Sequence, residues 1–314
     1  MIKKIGNVTL KSKVALAPMA GVTNQSFREI CRSMGAGLVV SEMISDRGLI
    51  YQNQKTLEMI PKEKSIATQI FGSSVETITQ GVGIILEHSN PDIIDINMGC
   101  PVNKVIKSGA GSALLKDPQK IYDIVKSLKD NYNKPVSIKI RAGFDHSSIN
   151  CDKVASIATK AGVDAITIHG RTRSDMYTGS VNLDYIKMVR DNTDVFVFGN
   201  GDIKSVEDAS KMYELGVDGI MVGRATLGNP WIIRDLVSQE EVVSIHERID
   251  MLLAHAQKLM SHEPEKYAMI QMRSHAAWYF RHLPQSKKYR VQLVNISTYD
   301  ELKNICLEYL NNLT

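Results

Sequence analysis

Cysteine is scarce in this chain, and the four cysteines are far apart, at Cys31, Cys100, Cys151 and Cys306. No two of them have C-x-x-C spacing, so the pattern argues against a zinc site and against a disulfide framework. Long hydrophobic runs are also missing. No stretch approaches the roughly 18 apolar residues of a membrane span, and no apolar segment follows the first basic residues. We therefore expect a cytoplasmic protein with no membrane segment and no metal ion.

A strong excess of charge of either sign is missing as well. The 38 Lys and Arg residues against 34 Asp and Glu residues give a formal net charge of +4, and the isoelectric point is about 8.7. This mildly basic balance permits a nucleic-acid partner without requiring one. The length of 314 residues suits one large barrel-type domain with a small appendage, or two domains of middle size.

What the chain does have is a repeated pattern between residues 13 and 235. A short apolar run is followed by a longer amphipathic stretch eight times, and the runs begin at Val14, Leu38, Ile66, Ile93, Val136, Ala165, Val195 and Gly219. Nearly continuous apolar strands are typical of a parallel sheet that is buried on both faces. Eight strand–helix units predict an α/β fold, a (β/α)8 TIM barrel. A doubly wound open sheet is the alternative, but the first run lacks the G-x-G-x-x-G motif that it would need.

After about residue 238 the pattern changes. Strand-like runs and glycine disappear, and apolar residues recur at helical spacing, as at Ile249, Leu252 and Ala256. We predict two parts, a catalytic barrel domain over residues 1–240 and a small C-terminal helical domain over residues 241–314. Within the barrel, Asp117-Pro118 predicts the start of a helix, and helix ends are predicted at Gly35, Gly162 and Gly216.

Polar residues stand at the carboxyl ends of five strands that are otherwise apolar. They are Gln69, Asn97, Lys139, Arg141, His169, Arg171 and Asn200. Each has a purely structural alternative: Lys139 can extend to the rim, His169 can be a satisfied core imidazole, and Asn200 can close a turn. Because the carboxyl ends of barrel strands meet at one face, the seven together predict a shared ligand site there.

The loops after the seventh and eighth runs predict a phosphate site. Asn200-Gly201-Asp202 and Gly223-Arg224 follow these runs, and in many barrels the same two loops bind phosphate through backbone N–H groups. A plain Asn-Gly-Asp turn is the alternative. Together with a lysine on the fifth strand, Lys139, the phosphate site resembles one for flavin mononucleotide, whose negative charge on reduction a buried cation stabilises.

Cys100 lies in the turn just past the fourth strand, where Pro101 prevents the strand from continuing. An unperturbed thiol has a pKa of about 8.5, so it is mostly protonated near neutral pH and can donate a proton or act as a nucleophile. The alternative is a small buried hydrophobic residue. The turn position favours a chemical role.

Six motifs in the barrel region together resemble one family. They are Ala17-Pro18-Met19-Ala20-Gly21-Val22-Thr23, Asn97-Met98-Gly99-Cys100-Pro101, Lys139-Ile140-Arg141, Ile168-His169-Gly170-Arg171-Thr172-Arg173, Asn200-Gly201-Asp202 and Gly223-Arg224. In order and spacing this set is similar to that of the tRNA-dihydrouridine synthases. The helical tail also fits the plan of that family.

The resemblance implies a flavin enzyme that reduces the C5=C6 bond of particular uridines in tRNA to 5,6-dihydrouridine, with NADPH as electron donor. Hydride would pass from reduced FMN to C6, and Cys100 would give a proton to C5 from the other face of the uracil. The FMN site that the resemblance implies consists of Pro18, Met19, Ala20, Gln69, Lys139, His169, Asn200, Gly201, Asp202, Gly223 and Arg224.

The tail and the barrel mouth carry the predicted tRNA contacts. Between residues 258 and 290, basic residues alternate with aromatic residues, a composition typical of a surface that binds a polyanion. A solvated helix face over core aromatics is the alternative. The predicted substrate or RNA contacts are Asn97, Arg141, Arg171, Arg173, Arg273, Lys287 and Lys288.

Two other functions stay open at this point. An FMN barrel enzyme that acts on a small free pyrimidine is disfavoured by the basic tail, since a small substrate needs no such surface. A non-catalytic RNA-binding barrel is disfavoured by Cys100 and Lys139. We expect the protein to act as a monomer.

Overall fold

The computed structural model describes residues 4–238 and 242–313. A short antiparallel hairpin, β1 (Lys4–Ile5) and β2 (Val8–Thr9), precedes the main sheet. The strands of the main sheet are β3 (Val14–Leu16), β4 (Leu38–Val39), β5 (Ile44–Ser45), β6 (Ala67–Phe71), β7 (Ile93–Met98), β8 (Val136–Arg141), β9 (Ala165–His169), β10 (Phe196–Asn200) and β11 (Gly219–Val222).

The main sheet is parallel throughout and closes on itself. Its order is β4-β3-β11-β10-β9-β8-β7-β6-β5, and β4 and β5 share the second position of the barrel. A parallel bridge between Val40, just after β4, and Ala67 of β6 closes the barrel. All eight predicted apolar runs form strands, so the prediction of a (β/α)8 barrel is confirmed.

The barrel helices are α1 (Gln25–Ser33), α2 (Asp46–Ile50), α3 (Gln54–Glu58), α4 (Val75–His88), α5 (Asn103–Lys107), α6 (Pro118–Asn131), α7 (Cys151–Lys160), α8 (Leu183–Asp191), α9 (Val206–Glu214) and α10 (Trp231–Val237). Short 3-10 turns span Gly111–Lys116 and Arg224–Thr226. The predicted helix limits are confirmed: Asp117 caps α6, and Gly35, Gly162 and Gly216 follow helices with φ of +99°, +94° and +83°.

The tail consists of four further helices, α11 (Ile245–Met260), α12 (Glu265–Tyr279), α13 (Lys287–Leu293) and α14 (Tyr299–Asn311). They share a hydrophobic core that is distinct from the barrel core and includes Leu252, Met272 and Tyr309. The predicted domain boundary between residues 240 and 241 lies outside the described residues, so the division into two domains stays a prediction. None of the described helices has the length and apolar character needed to cross a membrane.

The tail packs against the first helix and the last loop of the barrel. Lys258 forms an ion pair with Glu29 of α1 at 2.7 Å. Gly228, in the loop before α10, has φ of +65°, and a Cβ there would lie 2.2 Å from the backbone carbon of Trp278. Only glycine permits so close an approach without a shift of the chain, so this contact fixes α12 beside the loops that follow β11.

Candidate active site

A cavity of about 870 Å³ opens at the carboxyl ends of the barrel strands. All eleven residues of the predicted FMN site line it, as do Cys100, Asn97 and Arg141. Because side chains alternate between the inner and outer face along each strand, polar residues at inner positions near the carboxyl ends point into this cavity. The interior is apolar at the opposite end, where the rings of Phe196 and Phe198 are 4.7 Å apart.

Lys139 supplies a positive charge to the cavity. Its Nζ donates a hydrogen bond to Asn200 Oδ1 at 2.9 Å, and Asn200 in turn donates to the Met221 carbonyl at 2.7 Å. Burial and the charge of Arg141 lower the pKa of Lys139 to about 8. The ammonium is therefore mainly protonated at neutral pH, and two of its N–H groups are free of this bond.

Gln69 and Asn97 belong to one hydrogen-bonded chain. Asn97 Nδ2 donates to Gln69 Oε1 at 2.9 Å, and Gln69 Nε2 donates to Asp95 Oδ2 at 2.6 Å. Ser137 donates to the other Asp95 oxygen at 2.5 Å. Asp95 was not predicted as a site residue, since it stands inside an apolar run. Its signal is its position two residues before Asn97, which places both on the inner face of β7.

The Cys100 turn is held from three sides. Asn97 Oδ1 accepts the N–H groups of Gly99 and Cys100 at 3.2 and 2.9 Å, and Arg141 Nε donates to the Gly99 carbonyl at 3.0 Å. Gly111 has φ of +61°, and a Cβ there would lie 3.0 Å from Cys100 Cβ. Burial raises the pKa of the Cys100 thiol. The thiol therefore keeps its proton at neutral pH.

His169 is a neutral imidazole. Burial and the nearby charges of Lys139 and Arg141 hold its pKa well below the usual value. Arg171 Nη1 lies 3.3 Å from His169 Nε2, and a Cβ at Gly201 would come within 2.9 Å of the imidazole ring. The loop after β10 therefore packs directly on His169, and glycine makes this contact possible.

Arg171 does not reach the surface, in contrast to its predicted role in RNA contact. It is 1% exposed, donates to the carbonyls of Thr178 and Gly179, and forms an ion pair with Asp202 at 2.5 Å. Asp202 also pairs with Arg224 at 3.1 Å. Arg171 therefore organises the loops at the mouth of the cavity, and its burial argues against direct phosphate contact.

Asn97 and Arg141 line the cavity, whereas the remaining predicted RNA contacts lie outside it. Arg173 is half-buried and donates to Asn103 Oδ1 at 2.5 Å, and Arg273 is half-buried and donates to the Ile296 carbonyl at 2.9 Å. Lys287 and Lys288 are exposed on α13, with Glu308 3.8 Å from Lys288. The two lysines are the most accessible of the predicted tail contacts.

The tail also contributes to the cavity wall, a position that was not predicted from the sequence. Trp278, Arg281 and His282, at the end of α12, line the cavity with Arg248 of α11. On the barrel side, the exposed ring of Tyr177 lies 5.0 Å from the Arg224 guanidinium carbon. Trp278 and Arg281 belong to the basic and aromatic segment 258–290, but the composition of that segment does not show that it reaches the cavity. The mouth is thus formed by both parts of the chain and is rich in cations.

Taken together, the fold and the cavity define a barrel enzyme whose site lies at the carboxyl ends of its strands, with a buried cation, a protonated thiol and a wall supplied by a helical tail. A solved structure with a similar barrel is that of a morphinone reductase mutant in complex with tetrahydroNAD. It has a TM-score of 0.50 and 11% sequence identity, covering 74% of this chain and 88% of that chain. This likeness concerns the fold.

The dihydrouridine synthase (Dus) family model matches residues 15–314. The tRNA-dihydrouridine synthase B of Pasteurella multocida is 38% identical over 99% of this chain and 96% of its own length. Those of Pseudomonas syringae and Vibrio cholerae are 40% and 37% identical, covering 91% and 99% of this chain and 88% and 99% of their own lengths. The chain belongs to the dihydrouridine synthase family and is an enzyme with tRNA-dihydrouridine synthase activity. The resemblance drawn from the motifs is confirmed.

Proposed function

We propose that the cavity binds FMN and that Cys100 is the proton donor in the reduction of uridine in tRNA. The observation that carries this proposal is that all eleven predicted cofactor residues and Cys100 line one cavity. The volume of about 870 Å³ lies in the range of pockets that enclose a cofactor with part of a substrate. When bound, FMN supplies the hydride that adds to C6 of the uracil, with NADPH as the source of electrons.

The residues present fit a flavin with one phosphate group. At the phosphate end, Arg224 is half exposed and a Cβ at Gly223 would meet nothing closer than 3.5 Å, so the backbone there is open to a ligand. The Lys139 ammonium has N–H groups free to meet negative charge at the pyrimidine edge of the ring. The neutral His169 can donate from one ring nitrogen and accept at the other.

The role of Cys100 follows from its protonation state. Because burial keeps the thiol protonated, Sγ can give its proton to C5 of the uracil as the hydride adds to C6, and the resulting thiolate regains a proton from solvent. The Asn97 and Arg141 hydrogen bonds fix the turn that presents the thiol. Fixing the orientation of the thiol before the reaction lowers the activation barrier beyond what the acidity of the thiol provides.

A macromolecular substrate is supported by the composition of the mouth. The target uridine must leave the RNA stack to reach a barrel cavity. Trp278, Arg281 and His282 of the tail line the route into the cavity, and cations and aromatic faces are the groups that bind phosphate and unstacked bases. These residues favour tRNA over a small free pyrimidine as the substrate.

Two measurements test the proposal. Flavin released from the denatured protein should be FMN by chromatography, and recovery of FAD or of no flavin would overturn the cofactor assignment. Dihydrouridine mapping of tRNA from cells with and without this protein should show loss at particular positions. Reduction of free uracil or of uridine monophosphate at the rate seen with tRNA would instead favour the small-substrate alternative. The use of NADPH, the monomeric state and the cytoplasmic location stay predictions.

A further inference from the structure

Asp95 is a charged side chain inside the barrel for which the proposed reaction provides no role. It lies on β7 and is 3% exposed. Its register partners are Gln69 on β6 and Ser137 on β8. Asn97 and Lys139, which are register partners of each other, lie two residues further along β7 and β8. A buried carboxylate costs free energy unless it is hydrogen-bonded and paired with a cation, so this position requires a physical reason.

The hydrogen bonds that lead to Asp95 run in one direction. The backbone N–H of Cys100 can only donate, and it donates to Asn97 Oδ1 at 2.9 Å. Asn97 therefore presents its Nδ2 to Gln69 Oε1 at 2.9 Å, and Gln69 presents its Nε2 to Asp95 at 2.6 Å. Asp95 Oδ2 is the final acceptor of the chain.

The second oxygen of Asp95 also accepts a hydrogen bond, from the Ser137 hydroxyl at 2.5 Å. An ionised carboxylate can accept a hydrogen bond at each of its two oxygens, as Asp95 does here. Burial raises the pKa of Asp95 to about 6, while the hydrogen bonds from Gln69 and Ser137 and the charge of Lys139 act to lower it. The group is therefore mostly ionised at neutral pH, in a place with little water.

Lys139 is the cation that the sheet places beside this carboxylate. The register partner of Lys139 is Asn97, two residues along β7 from Asp95, and both side chains point inward. The hydrogen bond of its Nζ goes to the neutral Asn200. Among residues 4–238 and 242–313, no carboxylate lies within ion-pair distance of that Nζ. Burial and Arg141 lower the pKa of Lys139, whereas Asp95 raises it.

We propose that Asp95 is a positioning residue that acts through Lys139, as the buried counter-charge that keeps the Lys139 ammonium protonated in the cavity. The consequence for the reaction rests on the proposed function, since a protonated Lys139 stabilises negative charge on a reduced flavin. The interaction acts across the low-dielectric interior and needs no direct contact. The other titratable groups that face Lys139 are Arg141 and His169.

The test is an NMR titration of the full-length protein with lysine labelled at the ε carbon. The Lys139 resonance is assigned by its loss in Lys139→Met. In Asp95→Asn, the asparagine oxygen still accepts from Gln69 and its amide donates to the Ser137 hydroxyl, so the hydrogen bonds persist and the charge is lost. We expect the titration midpoint of Lys139 to fall by about one pH unit, a tenfold change in its proton affinity.

Ser137→Ala is the matched control, because it removes one hydrogen bond to Asp95 and leaves the carboxylate charge. It should leave the Lys139 midpoint almost unchanged. In the wild-type protein, Lys139 should also report a second inflection near pH 6, where Asp95 takes up a proton. Ser137→Ala should move this inflection to higher pH, and Asp95→Asn should abolish it.

Equal Lys139 midpoints in wild type and Asp95→Asn would overturn the inference. If Asp95→Asn does not fold, the wild-type curve still decides, because a Lys139 titration without the inflection near pH 6 contradicts coupling to Asp95. The outcome is independent of the cofactor assignment. A protein that lacks FMN contradicts the proposed function, yet its Lys139 titration still reports on Asp95.

Discussion

The barrel and the tail differ in how they accommodate buried polar side chains. In the barrel, Gln69, Asn97 and Asp95 form a continuous chain of hydrogen bonds. In the tail, the ring nitrogens of the buried His255 make no hydrogen bond within the described part of the chain, and its ring packs against that of His275. Unpaired buried polar groups cost free energy, so the two regions employ polar side chains for different purposes.

The tail uses these imidazoles as rings. The centroids of the His255 and His275 rings are 4.5 Å apart with an interplanar angle of 66°, and the ring of Phe27 of α1 lies 5.2 Å from that of His275. Burial keeps the pKa of both histidines low, so both rings are neutral at neutral pH. The two imidazole rings fill space between the barrel and the tail. The polar groups of the barrel, by contrast, point into the cavity or form hydrogen bonds to groups that point into it.

The largest effect should come from removing a barrel group with a chemical role. Cys100→Ala should leave flavin content and flavin reduction by NADPH almost intact, because the thiol is needed only after the substrate binds. Reoxidation of the reduced flavin by tRNA should slow by about two to four orders of magnitude, the usual worth of a positioned acid. Cys100→Ser should rescue little, since a hydroxyl is far less acidic. Stopped-flow measurement of the two half-reactions distinguishes these steps.

Cys151→Ala is the matched control for that experiment. Cys151 is also buried, but it belongs to the barrel core on α7 and lies away from the cavity. Its loss should lower thermal stability and leave both half-reactions nearly unchanged. Equal slowing of both half-reactions in Cys100→Ala, together with a lower melting temperature, would show that Cys100 is a packing residue.

The same contrast explains what the sequence could and could not predict. A strand fixes the direction of each side chain, so Asn97, Lys139 and His169 could be assigned to one inner face before any coordinates. Arg171 was predicted for the shared site and for RNA contact, and it is buried because it lies past the end of β9, where the loop folds inward to meet Asp202. Strand geometry no longer determines the direction of a side chain there.

The tail was less predictable for a related reason. Helical spacing shows which side of a helix is apolar, but it does not show against which barrel surface that side packs. The position of Trp278 at the cavity depends on the fit of α12 against Gly228, which no local pattern encodes. The helical character of the tail was predicted, because the loss of glycine and the spaced apolar residues are local signals.

The second prediction concerns the acid sensitivity of the tail. Burial lowers the pKa of His275 to about 4, so in the folded protein it stays neutral as the pH falls below about 6.5, while the unfolded chain takes up a proton. The free energy of unfolding should therefore fall by about 1.4 kcal/mol per pH unit for this histidine between these two values. Asp95 has a raised pKa and contributes with the opposite sign.

Denaturant unfolding at a series of pH values, followed by tryptophan fluorescence, measures this dependence. Both tryptophans, Trp231 and Trp278, lie near the contact between the barrel and the tail. His275→Phe keeps an aromatic ring at this position and removes the titrating group. The free energy of unfolding should therefore fall less steeply as the pH is lowered. An unchanged slope in that variant would mean that other groups determine the acid sensitivity.

The smallest expected effect concerns the exposed cations of the tail. Lys287→Glu combined with Lys288→Glu should weaken tRNA binding and lower the slope of log affinity against log salt by about one for each phosphate contact that is lost. Lys187→Glu on α8 of the barrel is the control, since Lys187 is also exposed and has an Asp191 partner at 2.9 Å. Gel-shift titrations at several salt concentrations compare the two. A change of slope in the control but not in the tail variant would show that the RNA-binding surface lies on the barrel and not on the tail. The barrel and the tail would then not differ in the way proposed.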